Sequence, residues 1–207
     1  MAETMLLEGF WTAQQQTGED RRDFEHNLAL VIGINTYGNG IPTLTTAVND
    51  AKQVAKILRE KHGYSVNLLT EQVTLVQLTT VFEQTLPQVV GSQDRLLVYF
   101  AGHGVALDGD DGPAGYLVLQ DSVLDDRLTF LPMSDLHRWL SALSCRHLLV
   151  VLDCCFAGAF RWASTRRLAP LPNILHKERY DRFIQSPAWQ VLTSAAYDQT
   201  ALDSLAM

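Results

Sequence analysis

The sequence is poor in cysteine. Its 207 residues include three cysteines, Cys145, Cys154 and Cys155. This number is small and uneven, whereas a disulfide framework needs an even number of paired cysteines. Two of them are adjacent, and adjacent cysteines rarely pair with each other because the bond would strain the intervening peptide. We therefore expect free thiols and a reducing, cytoplasmic compartment.

Long apolar runs and basic patches are also missing. No run approaches the roughly 20 apolar residues of a membrane helix, and the start of the chain lacks the basic and apolar regions of a signal peptide. The net charge is −7 and no Lys/Arg run dominates the sequence. We therefore expect neither nucleic acid nor a membrane as a partner. The chain also lacks the glycine-rich phosphate loop of nucleotide-binding enzymes and any zinc-ligand spacing.

What the sequence does contain is an alternation of strand and helix patterns. Residues 1–27 are polar and Gln-rich and are predicted to be a leader, followed by one domain at 28–207. Buried-strand patterns lie at 28–34, 64–70, 94–104, 146–155 and 189–196, and helical spacing lies at 45–63, 74–86 and 134–144. This order predicts a three-layer α/β fold with a mostly parallel sheet covered on both faces. Residues 106–130 are expected to include a short hairpin.

Two turns of unusual chemistry follow neighbouring strands. "AGHG" (101–104) ends the third strand and "DCCFAG" (153–158) ends the fourth, so both are expected at the carboxyl edge of the sheet. A lone histidine in a turn is more often structural, but His103 beside a cysteine pair fits a Cys–His nucleophilic site. The histidine would lower the thiol pKa and later protonate the leaving amine. The N–H groups of Gly104 and of the nucleophilic cysteine would then form an oxyanion hole.

Four blocks in this order carry a family resemblance: "ALVIGINTYGNGIPTLTTAVNDA", "LLVYFAGHGV", "LLVVLDCCFAG" and "WQVLTSAAYDQTALD". Together they resemble the caspase-like cysteine peptidases, most closely the bacterial members and the metacaspases, over residues 28–203. The family has a D-x-C-x-x-G turn, which falls here on Asp153, Cys155 and Gly158. The resemblance thus implies a cysteine endopeptidase with Cys155 as nucleophile, His103 as its partner and Cys154 as a packing residue. No third member is evident, so a dyad is expected.

The resemblance also implies a substrate preference. Metacaspase-like enzymes cut after Arg or Lys using acidic residues, and the two matching positions are filled by Asp50 and Asp153. Two carboxylates would bind a cationic side chain through charge-assisted hydrogen bonds. The alternatives are an exposed helix-N-terminal acid for Asp50 and a strand-end acid bonded to loop N–H groups for Asp153. Their joint fit to the family favours a basic-residue pocket.

Two loops are left with open interpretations. The basic segment 159–183 holds Arg166 and Arg167, where the enzyme would cut itself if the family's processing applies; a solvated loop is an equally good interpretation. No resident cofactor is expected. Some metacaspases respond to calcium through clustered aspartates, for which Asp121, Asp125 and Asp126 are candidates, although a solvated acidic loop is preferred.

The family fold ordinarily continues into a further helix and a sixth strand. We therefore expect this chain to lack the last family strand. It is then either the N-terminal, protease portion of a longer protein or a fragment whose sheet edge is completed by something else. The resemblance implies a protein or peptide substrate and a sensor or regulatory domain C-terminal to this chain, as in a regulated effector protease. The alternative is a catalytically silent binding or signalling module with the same fold.

Overall fold

The computed structural model describes residues 24–107, 114–155 and 188–194, in which strands and helices alternate as predicted. The strands are β1 Asn27–Gly33, β2 Ser65–Leu69, β3 Arg95–Ala101, β4 Gly104–Leu107, β5 Ala114–Leu117, β6 Leu131–Pro132, β7 His147–Asp153 and β8 Ala188–Thr193. The helices are α1 Ala47–His62, α2 Leu75–Thr80, α3 Leu86–Val89 and α4 Met133–Ala142. A π-helical turn, Val81–Thr85, joins α2 to α3, and a 3-10 turn, Arg127–Thr129, precedes β6.

Five of the strands form one parallel sheet. Their order is β2-β1-β3-β7-β8, and all four neighbouring pairs run parallel. Parallel neighbours need crossover connections, and the helices that supply them cover the sheet. The predicted three-layer α/β fold is therefore confirmed.

Side chains of the central strands alternate between two cores. Leu30 and Phe100 belong to the larger core, which also holds the buried side chains of α2, α3 and α4. Val31 and Tyr99, each one position away, belong to a second core against α1. Because strand side chains alternate in direction, each strand serves both cores with successive residues. The same alternation governs what the strand ends present at the sheet edge.

Helix α1 lies unusually close to the sheet. Its buried face carries Ala47, Ala51 and Ala55, and a Cβ added to Gly33 of β1 would lie 2.6 Å from the Cβ of Ala51. The helix ends at Gly63, whose φ of 64° is left-handed and whose N–H donates to the Leu58 carbonyl. Small residues on both surfaces thus fix the distance between α1 and the sheet.

The start of α1 is capped from outside the helix. Thr46 occupies the N-cap position, but its side chain makes no capping hydrogen bond. The Val48 N–H donates instead to the side-chain oxygen of Asn35, 2.9 Å away. A residue beyond β1 therefore fixes the first turn of α1.

The third predicted strand is too long. The sequence predicts a strand over 94–104, whereas β3 ends at Ala101 and the chain turns at 102–103. Gly104 already begins β4, which pairs antiparallel with β5 in a separate three-stranded sheet with β6. The hairpin expected within 106–130 is therefore the β4–β5 pair, which begins earlier than predicted. The apolar pattern runs on across the glycines, so it could not mark the change of sheet.

Among the helices of the described residues, none has the length and apolar character required to cross a membrane.

Candidate active site

The two turns that the sequence analysis singled out meet at one edge of the parallel sheet. Strands β3 and β7 are neighbours, and their last residues, Ala101 and Asp153, are register partners. The N–H of Gly102 donates to the Asp153 carbonyl over 3.3 Å, which continues the ladder by one step. His103 and Cys155 follow immediately, so the predicted placement at a shared edge is confirmed.

Both glycines that flank His103 stand where no side chain fits. A Cβ on Gly104 would collide with the carbonyl oxygen of Cys155 and would lie 3.0 Å from the Cys154 Sγ. A Cβ on Gly102 would lie 2.9 Å from the Tyr37 hydroxyl. The GHG turn therefore packs directly against the cysteine pair on one side and against Tyr37 on the other.

The imidazole of His103 is oriented by a main-chain carbonyl. Its Nε2 lies 2.9 Å from the carbonyl oxygen of Pro42. A carbonyl oxygen only accepts hydrogen bonds, so Nε2 carries the hydrogen of the neutral ring and Nδ1 carries the lone pair. The ring is therefore held in the tautomer in which Nδ1 is the base.

Tyr37 supports the same histidine through its backbone and its ring. The His103 N–H donates to the Tyr37 hydroxyl over 2.8 Å, and that hydroxyl donates to the Ile34 carbonyl over 3.2 Å. The two rings lie 4.8 Å apart, centroid to centroid, at an angle of 42°. Tyr37 is 8% exposed, so this chain of contacts is largely shielded from solvent.

The adjacent cysteines have different surroundings. Cys154 is 2% exposed and belongs to the larger core, where burial, and then the nearby Cys155 and Asp153, raise its pKa far above the ordinary thiol value. Cys155 is only half-buried. Strand alternation explains the difference, since Leu152 and Cys154 point to the same core. Cys154 therefore remains a protonated packing group, as its predicted role requires.

The two predicted substrate-binding acids approach one buried hydroxyl from different elements. Tyr99 donates from its hydroxyl to Asp153 Oδ2 over 3.1 Å, and Asp50 lies in the first turn of α1 on the same face of the sheet. Burial, followed by the charges of Asp153 and then Asp50, raises the Tyr99 pKa well above its usual value. Both acids are half-buried. The fold thus gathers two carboxylates near the sheet edge that carries His103 and Cys155.

A family model described as the caspase domain matches residues 26–203. This chain belongs to the caspase-domain family. The family consists of cysteine peptidases, which act on protein substrates. A comparison with curated proteins found no match.

Solved structures similar to this caspase domain include caspase-1 from Spodoptera frugiperda and a protein from Geobacter sulfurreducens. The insect enzyme is 16% identical with a TM-score of 0.52, and the match covers 70% of this chain and 55% of that one. The bacterial protein is 22% identical with a TM-score of 0.52, and the match covers 63% of this chain and 50% of that one. This chain thus spans about half the length of these proteins, and the likeness supports the fold.

The other predicted residues of the caspase domain lie apart from this edge or outside the described residues. Gly158, Arg166 and Arg167 fall in the segment that the structure does not describe. Asp121 accepts a hydrogen bond from the Leu75 N–H over 3.2 Å and so caps α2.

Two of the three aspartates considered as calcium candidates accept hydrogen bonds from nearby backbone N–H groups. Besides Asp121, Asp126 accepts from the Leu128 N–H over 3.1 Å, while Asp125 is exposed. Within the described ranges, the side chains close enough together to hold a metal ion are Glu25, His26 and Asp94. The Asp94 carboxylate already accepts hydrogen bonds from the His26 and Gly91 N–H groups. Calcium binding stays a prediction.

A cleft of about 470 Å³ lies elsewhere in the caspase domain, between α2, α4 and the smaller sheet. Its lining includes Leu128, Phe130, Asp135 and Trp139, and none of the predicted site residues. Residues 156–187, which follow Cys155 in the sequence, lie outside the described part.

Sequence reasoning missed two groups that hold His103. The Pro42 carbonyl is a main-chain atom, and every residue has one, so no residue type marks it. Tyr37 is one residue of "GINTYGNG", and no pattern in that stretch marks it as a contact of His103. Its wide sequence separation from His103 hides the contact, which only the adjacency of β1 and β3 creates.

Proposed function

We propose that this caspase domain is a cysteine endopeptidase that cleaves after arginine or lysine with a His103–Cys155 dyad. The observation that carries the proposal is the packing of the His103 turn against the cysteine pair, in which Cys155 is the thiol nearer the surface. The orientation of His103 by the Pro42 carbonyl supports the role of Nδ1 as the base.

Each residue has one step in the proposed mechanism. His103 Nδ1 takes the proton of the Cys155 thiol, and the thiolate sulfur attacks the scissile carbonyl carbon. The N–H groups of Gly104 and Cys155 stabilise the resulting oxyanion. The imidazolium, whose Nε2–H bonds to Pro42, gives its proton to the leaving amine as the C–N bond breaks. A water molecule then attacks the thioester with His103 again as base, releasing the acid and the thiol.

The proposed preference for a basic residue rests on charge. Asp50 and Asp153 are two half-buried carboxylates, and a single cationic side chain between them would neutralise part of their mutual repulsion. Partial burial strengthens these interactions compared with the same pairs in open water.

The regulatory part of the proposal follows from the same preference. An enzyme that cuts after basic residues would also cut its own segment at Arg166 or Arg167, as a regulated effector protease under a C-terminal sensor domain would. The three cysteines form no disulfide with one another, which supports a reducing, cytoplasmic location.

Paired cysteine variants test the mechanism. Cys155→Ala should lower the cleavage of arginyl and lysyl peptides by at least about 10³-fold, because no nucleophile remains. Cys154→Ala should retain most activity, since it removes a buried sulfur that takes no part in the chemistry. Initial rates on fluorogenic peptides and circular dichroism of each variant provide the measurement.

Two results would contradict the assignment. One is a folded Cys154→Ala protein without activity; the other is an active Cys155→Ala protein. A wild-type protein that cleaves no peptide, and whose Cys155 reacts slowly with iodoacetamide at mildly acidic pH, favours the silent binding module instead.

A further inference from the structure

Tyr99 lies directly below the two acids of the proposed pocket. It is 6% exposed and belongs to β3, where its side chain faces α1. Two residues further along the same face, β3 ends at Ala101, the register partner of Asp153. A small side chain thus stands between the tyrosine and the open edge, while α1 brings Asp50 to the same face.

The Tyr99 hydroxyl has one specific task. It donates its only proton to Asp153 Oδ2 over 3.1 Å. A buried phenol needs such a partner, and a carboxylate is the strongest available acceptor. Burial and the neighbouring carboxylates raise the Tyr99 pKa, so the group stays a donor at neutral pH. This bond engages one carboxylate oxygen and leaves Oδ1 for another donor.

We propose that Tyr99 is a positioning residue that forms the floor of the basic-residue pocket and makes it favour arginine over lysine. The inference rests on the proposed function. Because the Tyr99 hydroxyl bonds to Oδ2, the Asp153 carboxylate presents Oδ1 in a fixed direction beside Asp50. A planar guanidinium donates from several fixed N–H groups and benefits from such fixed acceptors. The ammonium of lysine is a compact point charge with rotatable donors, so it gains less from the orientation.

Tyr99→Phe tests the inference, with Tyr64→Phe as the matched control. Tyr64 is a half-buried tyrosine whose ring stacks on Arg95 at the opposite end of β3. Two peptides that differ only in arginine or lysine before the scissile bond are compared. In Tyr99→Phe the ratio of kcat/KM for arginine over lysine should fall by about threefold to tenfold, the effect of one oriented hydrogen bond.

The change should appear mainly in KM, because the pocket binds substrate equally before and during bond breaking. Tyr64→Phe should keep the wild-type ratio. An unchanged ratio in Tyr99→Phe, or an equal loss for both peptides, overturns the inference while the proposed function stands. A wild-type enzyme that cleaves neither peptide overturns the proposed function and the inference with it.

A second measurement covers the case in which Tyr99→Phe does not fold. Butylguanidine, a guanidinium probe, and butylamine, an ammonium probe of the same charge, are titrated into wild-type protein and tyrosine difference absorption is recorded. Butylguanidine should perturb a tyrosine more strongly than butylamine, and Tyr64→Phe should keep that signal. Absence of the perturbation, or its loss in Tyr64→Phe, overturns the inference.

Discussion

His103 is held by groups that contribute no charge. Its Nε2 faces the Pro42 carbonyl and its N–H faces the Tyr37 hydroxyl, which in turn donates to Ile34 at the end of β1. These neutral partners fix the direction of the imidazole through hydrogen bonds alone. The orientation of His103 therefore depends on a tyrosine that takes no part in the proposed proton transfer.

Removing the Tyr37 hydroxyl should slow catalysis. Tyr37→Phe leaves the His103 N–H without its acceptor and loosens the turn, so kcat should fall by roughly tenfold with little change in KM. Steady-state kinetics on an arginyl peptide measure kcat and KM separately. Tyr116→Phe, which alters a half-buried tyrosine of β5, should leave both constants unchanged. A Tyr37→Phe enzyme with the wild-type kcat would show that the hydroxyl has no part in holding His103.

At the scale of elements, the distance between α1 and β1 decides where Asp50 stands. A Cβ on Gly33 would lie 2.6 Å from the Ala51 Cβ and 2.8 Å from the Ala47 carbonyl oxygen. Neither neighbour is the end of a flexible side chain, so relief requires a shift of the helix itself. Any such shift moves Asp50, three residues after Ala47, relative to the fixed strand end at Asp153.

Gly33→Ala should therefore lower both the stability of the protein and its cleavage of basic peptides. The free energy of unfolding in urea should fall by about 1–3 kcal/mol, the usual cost of forced overpacking. Cleavage of basic peptides should fall further than stability alone explains. Gly38→Ala is the matched control, since its added Cβ meets only the Gln120 carbonyl at 3.4 Å. Equal stability of the two variants would contradict the close packing of α1.

The sequence predicts these elements well where one physical signal dominates. The buried run around Leu30 marks β1, and the alanine stripe with Gly63 marks α1 and its end, because burial and a left-handed φ select few residue types. The predicted C-terminal end of β3 was wrong, since the apolar run continues through Gly104 into a strand of another sheet. The π-helical turn after α2 also has no signature in the spacing that predicts a single helix there.

The candidate site is harder to read from the sequence, because it joins residues that only the sheet order brings together. The edge shared by His103 and Cys155 follows from a general rule for parallel sheets, and the resemblance supplied their roles, which stay predictions. The contacts of Pro42 and Tyr99 depend on which strands are neighbours and on exact side-chain directions. Neither the strand order nor these side-chain directions can be predicted from the residue types of a short stretch of sequence.

In the molecule as a whole, several buried thiol and phenol groups keep their protons at alkaline pH values at which the unfolded chain would release them. Burial raises the Cys145 pKa from 9.0 to about 11, with a smaller contribution from the charge of Asp94, and it raises the pKa values of Tyr99 and Cys154. A raised folded-state pKa stabilises the fold fully below the unfolded value. That contribution is lost as the pH rises through the folded value.

Alkaline pH should therefore destabilise the fold. The free energy of unfolding should decline as the pH rises from 9 towards 11, the window given by Cys145. Urea titrations at a series of pH values measure the slope. Cys145→Ala should show a shallower decline, because one of the groups that retains its proton is absent. Identical slopes for the wild type and this variant would show that Cys145 does not contribute.

The alternation of side chains at the end of β7 has an evolutionary consequence. Asp153 faces α1, Cys154 fills the opposite core, and Cys155 follows at the edge, so three neighbouring codons serve three separate surroundings. A point substitution at one of them leaves the directions of the other two intact. Insertion or deletion of a single residue before Asp153 would reverse all of them at once. The arrangement of these three side chains therefore tolerates substitutions at fixed length but no change in the length of β7.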